Sequence, residues 1–198
     1  MSSKQDSLFL KTYIHSRRNF LARAGAATFS ASAITLLAGC SSKSAMAAAQ
    51  ISDSVGQDIN ILNTAIAAEH EAVAAYQLGA ESGLLEPGVL KVAVKFQGHH
   101  KEHIDALSAA VTTLGGEATK AKKQYDFPLG ELKKQQHVLE FAAGLERGAV
   151  SAYAGAIPVF DNRDLSAAAA SILADEAMHW AVLRSALQLD PVPAAFFS

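Results

Sequence analysis

The sequence predicts an all-α protein: a four-helix bundle of two helical hairpins joined by a long crossover, over residues 54–190. Three observations predict it. Four long segments carry apolar residues at the 3.6-residue period, and none alternates as a half-buried strand would. Glycine and proline divide those segments by two short gaps with one long gap between them. The second half of the chain also repeats the first at a nearly constant offset.

Residues 1–40 read as an address label that precedes the fold. "SRRNFLA" (Ser16 to Ala22) carries the paired Arg17 and Arg18, followed by a mildly apolar run of 16 residues, "AGAATFSASAITLLAG". A membrane-spanning helix needs about 20 apolar residues, so the run fits the three-part pattern of an export signal. Its arginine pair resembles twin-arginine signals, which implies export of an already folded protein to the periplasm or cell envelope. "LAGC" (Leu37 to Cys40) resembles a bacterial lipobox, which implies a lipoprotein with Cys40 lipidated and the protein held to membrane. Cys40 is the sole cysteine, so no internal disulfide forms. An ordinary cut after "AMA" (Ala45 to Ala47) is the competing reading and would release a soluble protein. Residues 41–53, small and polar, read as a flexible tether.

Removal of 1–40 takes away Lys4, Lys11, Arg17, Arg18, Arg23 and Asp6. The net charge thereby moves from −2 to −6 with His neutral. No basic stripe remains, which argues against a nucleic-acid partner.

The helices follow in order. The first is expected over about 54–83 and stops at Gly83, with "EPG" (Glu86 to Gly88) closing the gap. The second, about 88–114, ends at "LGG", because glycine is the preferred helix stop. The third is expected over about 128–157, with Pro128 in its first turn. Pro158 and "DNRD" (Asp161 to Asp164) break it from the fourth, about 162–189. Short gaps make antiparallel hairpins of helices one and two and of helices three and four. The polar, basic segment from Gly115 to Phe127, with Lys120, Lys122 and Lys123, is long enough to cross the length of the bundle. Residues 191–198 form a tail, "PVPAAFF" and a final serine. It either packs on the bundle or presents Phe to a partner or lipid.

Self-comparison adds the chemistry. "AEHEAVAAYQ" in helix one matches "LERGAVSAYA" in helix three: Glu69 with Glu146 and Tyr76 with Tyr153, at an offset of 77. "HKEHIDAL" in helix two matches "EAMHWAVL" in helix four: His103 with His179 and Leu107 with Leu183, at an offset of 76. Steps of three and four then define one inner stripe per helix. These are Leu62, Ile66, Glu69, Val73, Tyr76; Phe96, His100, His103, Leu107, Val111; Leu139, Ala143, Glu146, Val150, Tyr153; and Ile172, Glu176, His179, Leu183, Leu187. Six ionisable residues therefore point inward: Glu69, His100, His103, Glu146, Glu176 and His179. A buried unpaired charge costs several kcal/mol, against about 5–15 kcal/mol for a whole domain. Glu–His bonds offset part of that cost, and a divalent cation removes the remaining conflict.

One Glu from each of two helices, with Glu-x-x-His from each of the other two, is the ligand set of ferritin-like carboxylate proteins. Over roughly 54–189 this chain resembles the ferritin-like superfamily. It is particularly similar to exported ferritin-like-domain proteins related to rubrerythrin and desiccation-associated proteins. The resemblance implies a non-haem iron or manganese centre of one or two ions. Glu69 and His103 would serve one metal, Glu146 and His179 the other, and Glu176 would bridge them. His100 departs from the pattern, standing where the family has Glu. An imidazole cannot bridge as a carboxylate does, so a single ion or an unequal pair stands beside the two-metal arrangement.

Two functions follow. One is an oxidoreductase of the ferroxidase or peroxidase type, fed by an external electron donor that the chain does not encode. The other is a non-catalytic envelope scaffold or stress-associated bundle with a diverged or structural metal. Tyr76 and Tyr153 are either plain core aromatics or hydrogen-bond partners of the site. His70, Glu71, His99 and Glu102 lie off the stripes and read as solvated flank, with orientation of ligands as the alternative. Trp180 reads as interhelical packing. Gln97 breaks the register and is left out.

Overall fold

A computed structural model describes residues 41–197, with side chains from residue 53 onward. The arginine pair Arg17–Arg18, the apolar run and Cys40 lie outside the described residues. The bundle belongs to one compact unit, Ala49–Ser198. Among the described residues there are four α-helices: α1 (Ser41–Glu81), α2 (Pro87–Thr113), α3 (Gln135–Ala156) and α4 (Arg163–Ala186). A 3-10 turn, Ile157–Val159, links the last two. Among the described residues there is no strand, and no helix is long and apolar enough to cross a membrane.

Two boundaries differ from expectation. The segment 41–53, expected as a flexible tether, is helical as the start of α1. Ala45 to Gln50 are almost all strong helix formers, and neither Gly nor Pro interrupts them before Gly56. Helix α3 begins at Gln135 instead of Pro128. Pro128 instead opens a turn, its carbonyl accepting from the Glu131 N–H at 2.9 Å. Gly130 weakens any helix there, and Lys134 is fully extended at φ −156°. The other ends fall near their predicted punctuation. α2 stops in a Schellman turn with Gly115 at φ +83°: Gly116 N–H bonds Val111 O and Gly115 N–H bonds Thr112 O. α4 closes the same way through Gln188, a non-glycine residue held at φ +60°.

Two apolar layers form the core. One joins Leu62 and Ile66 of α1, Leu107 and Val111 of α2, Tyr153 of α3, and Leu165, Ala169 and Ile172 of α4. The other joins Tyr76, Ala93 and Phe96, Leu139 and Ala143, and Leu183. The order in which each helix meets them fixes direction: α1 and α4 run from the first layer to the second, α2 and α3 the opposite way. The connection from α2 to α3 therefore spans the bundle lengthwise. Asn63 of α1 holds it, accepting from Thr119 N–H at 2.7 Å and donating to Glu117 O at 3.1 Å. Gly116 sits so close that a Cβ would meet Ile59 and Val111 side-chain atoms at 3.0 Å. Lys120, Lys122 and Lys123 remain exposed on it. Between the two layers each helix carries its ionisable residues.

Candidate metal centre

All six inward residues converge in that middle layer. Glu69, His100, Glu146, Glu176 and His179 are at most 3 % exposed, and the His103 side chain is 12 % exposed. His100 lies between the two outer carboxylates, its Nδ1 2.8 Å from Glu69 Oε2 and its Nε2 3.3 Å from Glu146 Oε1. His103 Nδ1 is 3.1 Å from Glu176 Oε1 and 3.5 Å from Glu69 Oε2. His179 Nδ1 is 3.5 Å from Glu146 Oε2 and 3.8 Å from Glu176 Oε2. These sets make two groups able to hold a cation, Glu69–His100–His103–Glu176 and His100–Glu146–Glu176–His179.

The tyrosines exchange partners between hairpins. Tyr153 of α3 donates to Glu69 Oε1 of α1 at 2.6 Å, and Tyr76 of α1 donates to Glu146 Oε1 of α3. Each phenol occupies one carboxylate oxygen and leaves the other facing His103 or His179. Equivalent positions of the repeat meet across an approximate two-fold axis, as His100 and Glu176 do at 3.5 Å.

Among the described residues, five buried polar atoms find no hydrogen-bond partner: His103 Nδ1, His179 Nδ1, Glu146 Oε2 and both oxygens of Glu176. Such atoms are rare in native interiors and need a cause. All five belong to the two groups just described, and each is a ligand type that a divalent cation accepts. The residues present therefore fit a metal.

Without a cation the centre neutralises itself. Burial would raise Glu69, but the hydrogen bond from His100 and the charge of nearby His103 outweigh it and hold the group at about 2. Burial would depress His100 and His103, but their carboxylate contacts raise them to about 10 and about 11. His179 is raised in the same way by Asp175 and Glu146. Burial pushes Glu176 up to about 8, with Glu146 and Glu69 adding repulsion against the pull of His103. Burial, with Glu146 beside Tyr76 and Glu69 beside Tyr153, keeps both phenols protonated.

Two participants lay outside the stripes. Asp175 Oδ2 lies 3.4 Å from His103 Nε2, 3.3 Å from His179 Nε2 and 2.9 Å from His99 Nδ1. It thus backs both imidazoles from the side away from Glu176. His99, expected as solvated flank, belongs to this cluster. The signal was available, since His99 and Asp175 are separated by the same 76 residues that relate α2 to α4. Glu102 is exposed, while His70 meets the crossover at Thr119 O, 3.3 Å away. Gln97 is buried on Val73 O and Gln77, away from the centre. Trp180 packs on the second apolar layer and takes the Phe197 ring of the tail edge-on at 5.6 Å.

A groove of about 470 Å³ between α1 and α3 reaches the centre. Ala68, Ala72, Gly148 and Ala149 line its walls, and Glu69, His100 and Glu146 lie at its floor.

Residues 57–189 match the profile of the ferritin-like domain family. The chain belongs to that family. Its ferritin-like bundle is similar to a conserved hypothetical protein of Mycobacterium tuberculosis, with TM-score 0.62 and 22% identity over 72% of this chain and 99% of that one. It is also similar to a ferritin-like, diiron-carboxylate protein of Bacillus anthracis, with TM-score 0.59 and 21% identity over 68% and 97%. No curated protein matches the sequence. At these identities the likeness carries the ferritin-like fold.

Proposed function

We propose that this is an exported ferritin-like metalloprotein whose buried centre holds one or two iron or manganese ions and works in oxidative-stress or iron redox chemistry. The observation that carries the reading is the set of five partnerless buried donor atoms facing one another. The diiron-carboxylate description of the Bacillus anthracis protein supports it. Export rests on Arg17, Arg18 and the run ending at Cys40, which would also attach the protein to membrane if lipidated.

The ligands fall out by residue. Glu69, His103 and one oxygen of Glu176 would hold one ion; Glu146, His179 and the other oxygen of Glu176 would hold the second. Bound iron or manganese supplies a change between divalent and trivalent states. Tyr153 and Tyr76 fix the orientation of Glu69 and Glu146. Asp175 aims the rings of His103 and His179, as carboxylates behind metal-bound histidines do. Glu176 must release its proton before it can serve two ions. His100, protonated between Glu69 and Glu146, supplies positive charge of its own and so favours one ion, or an unequal pair. The groove gives small oxidants a path to the carboxylate side.

Metal analysis tests the reading. The purified domain is expected to carry near-stoichiometric iron or manganese, lost on Glu176→Ala, and to consume ferrous iron or peroxide. One observation favours a second reading, a non-catalytic bundle: His100 lets the centre stand neutral without metal. Metal present with ferrous iron and peroxide untouched would select it. Absence of metal from the intact chain would overturn the site itself.

A further inference from the structure

A second cluster of donors sits behind the centre, between α2 and α4. Nδ1 of His99 is 2.9 Å from Asp175 Oδ2 and 2.9 Å from His179 Nε2, and those two are 3.3 Å apart. We propose that His99, Asp175 and His179 form an outer site for a divalent transition-metal cation, which takes His179 Nε2 in place of the proton that the ring otherwise donates to Asp175, while Nδ1 serves the buried centre.

The triangle has the dimensions of a coordination face. Nitrogen and oxygen donors about 2.0–2.2 Å from a cation stand about 3.0 Å apart at right angles and about 3.4 Å apart at tetrahedral angles, a range that the three contacts approach before any cation draws them in. Hydrogen bonding alone accounts for it poorly. A neutral ring nitrogen has one in-plane site, either an N–H or a lone pair. If both nitrogens donate to the Asp175 carboxylate, their own 2.9 Å contact sets one N–H against another; if only one donates, the other faces the carboxylate oxygen lone pair to lone pair. No placement of protons gives all three contacts a donor and an acceptor, whereas a cation among the three atoms satisfies them together.

The ligands are also held in place. Phe96 stacks on the His179 ring, centroids 3.9 Å apart and planes at 22°, which fixes the ring that would face both sites. Asp175 and His179 stand at i and i+4 on α4 and so share one face. His103 Nε2, 3.4 Å from Asp175 Oδ2, is a fourth donor nearby.

Chemistry and exposure separate this site from the inner one. Two imidazoles and one carboxylate suit zinc, ferrous iron or cobalt and disfavour magnesium or calcium. The His99 and Asp175 side chains are 30 % and 23 % exposed, whereas Glu176 is wholly buried. An outer cation therefore exchanges with solvent, and its identity follows the surroundings of the folded protein.

The test counts cations. The domain is stripped with chelator, titrated with Zn²⁺ alone, and its bound zinc counted by native mass spectrometry. His99→Ala is expected to bind one Zn²⁺ fewer per chain than the parent, with helicity unchanged by circular dichroism and the inner ions retained. His99→Gln, which keeps the size of the side chain, should lose the same ion and guards against a folding defect. Glu176→Ala should lose inner zinc yet keep one ion that adding His99→Ala removes. Equal zinc counts and affinities in the parent and both His99 variants would overturn the proposal. If Glu176→Ala loses nothing while His99→Ala loses one ion, the outer site stands and the inner reading falls.

Discussion

His100 stands where the repeat puts a carboxylate in the other hairpin, Glu176, and that exchange decides what the metal-free bundle tolerates. Burial lowers the pKa of an imidazole, yet the flanking Glu69 and Glu146 raise His100 to about 10, so it is charged at neutral pH. It spans the two outer carboxylates as a single cationic strut. His100→Glu would put four carboxylates in the centre against the charges of His103 and His179 alone. Breaking a buried pair by removing one partner costs about 3–5 kcal/mol, and the metal-free variant is expected to lose that much in urea unfolding. Saturating Mn²⁺ should restore most of it, because the added carboxylate is also a ligand. A variant as stable as its parent without metal would show that the strut does not neutralise the centre.

At the scale of elements, repeat-equivalent positions of α1 and α3 are each tied to the loop of the opposite hairpin. Asp58 of α1, 2 % exposed, accepts from the backbone N–H groups of Asp161 and Asn162 at 3.0 and 3.1 Å. Gln135, at the repeat-equivalent start of α3, accepts from Glu86 N–H at 2.7 Å. Asp58→Ala strands two loop donors, and hydrogen bonds to a charged group are worth about 1.5–3 kcal/mol. Calorimetry should show Asp58→Ala losing about 2–3 kcal/mol and Gln135→Ala, a neutral and more exposed bond, about 1 kcal/mol. Metal content should stay unchanged in both. Much of this architecture was legible in the sequence, because period and offset report which face is inward and which positions correspond. The inward set of Glu69, His100, His103, Glu146, Glu176 and His179 came from that source. Asp175 and His99 were missed because each precedes its stripe by one residue. They reach the centre only because α2 and α4 meet across the two-fold axis, a tertiary fact that no single-helix pattern contains. The late start of α3 was missed for a local reason, since Pro128 is as well suited to a turn as to a first helical turn.

Across the whole molecule, two apolar layers supply the stability and enclose a polar layer whose protonation opposes its loading. His100, His103 and Glu176 have folded values of about 10, 11 and 8, above the ordinary 6.5 for His and 4.5 for Glu, and His179 shifts the same way. A group raised on folding stabilises fully below its unfolded value and loses that contribution as pH rises through the folded one. The metal-free bundle should therefore begin to weaken above about pH 4.5, as the contribution of Glu176 goes, and weaken more steeply above about pH 6.5, as those of the histidines follow. Glu69, lowered to about 2 from 4.5, acts oppositely: its contribution is present above 4.5 and is lost as pH falls through 2. Stability without metal should peak where these windows meet, near pH 5. A cation needs the Nδ1 atoms of His103 and His179 and both oxygens of Glu176 free of protons, so loading releases protons and tightens as pH rises. The melting temperatures of chelated and Mn²⁺-saturated protein should therefore diverge between pH 6 and pH 8.5, the chelated form falling while the loaded form holds. Scanning calorimetry at the two pH values measures the gap directly. A gap of the same size at both would mean that the cation binds without displacing those protons, somewhere other than between the four helices.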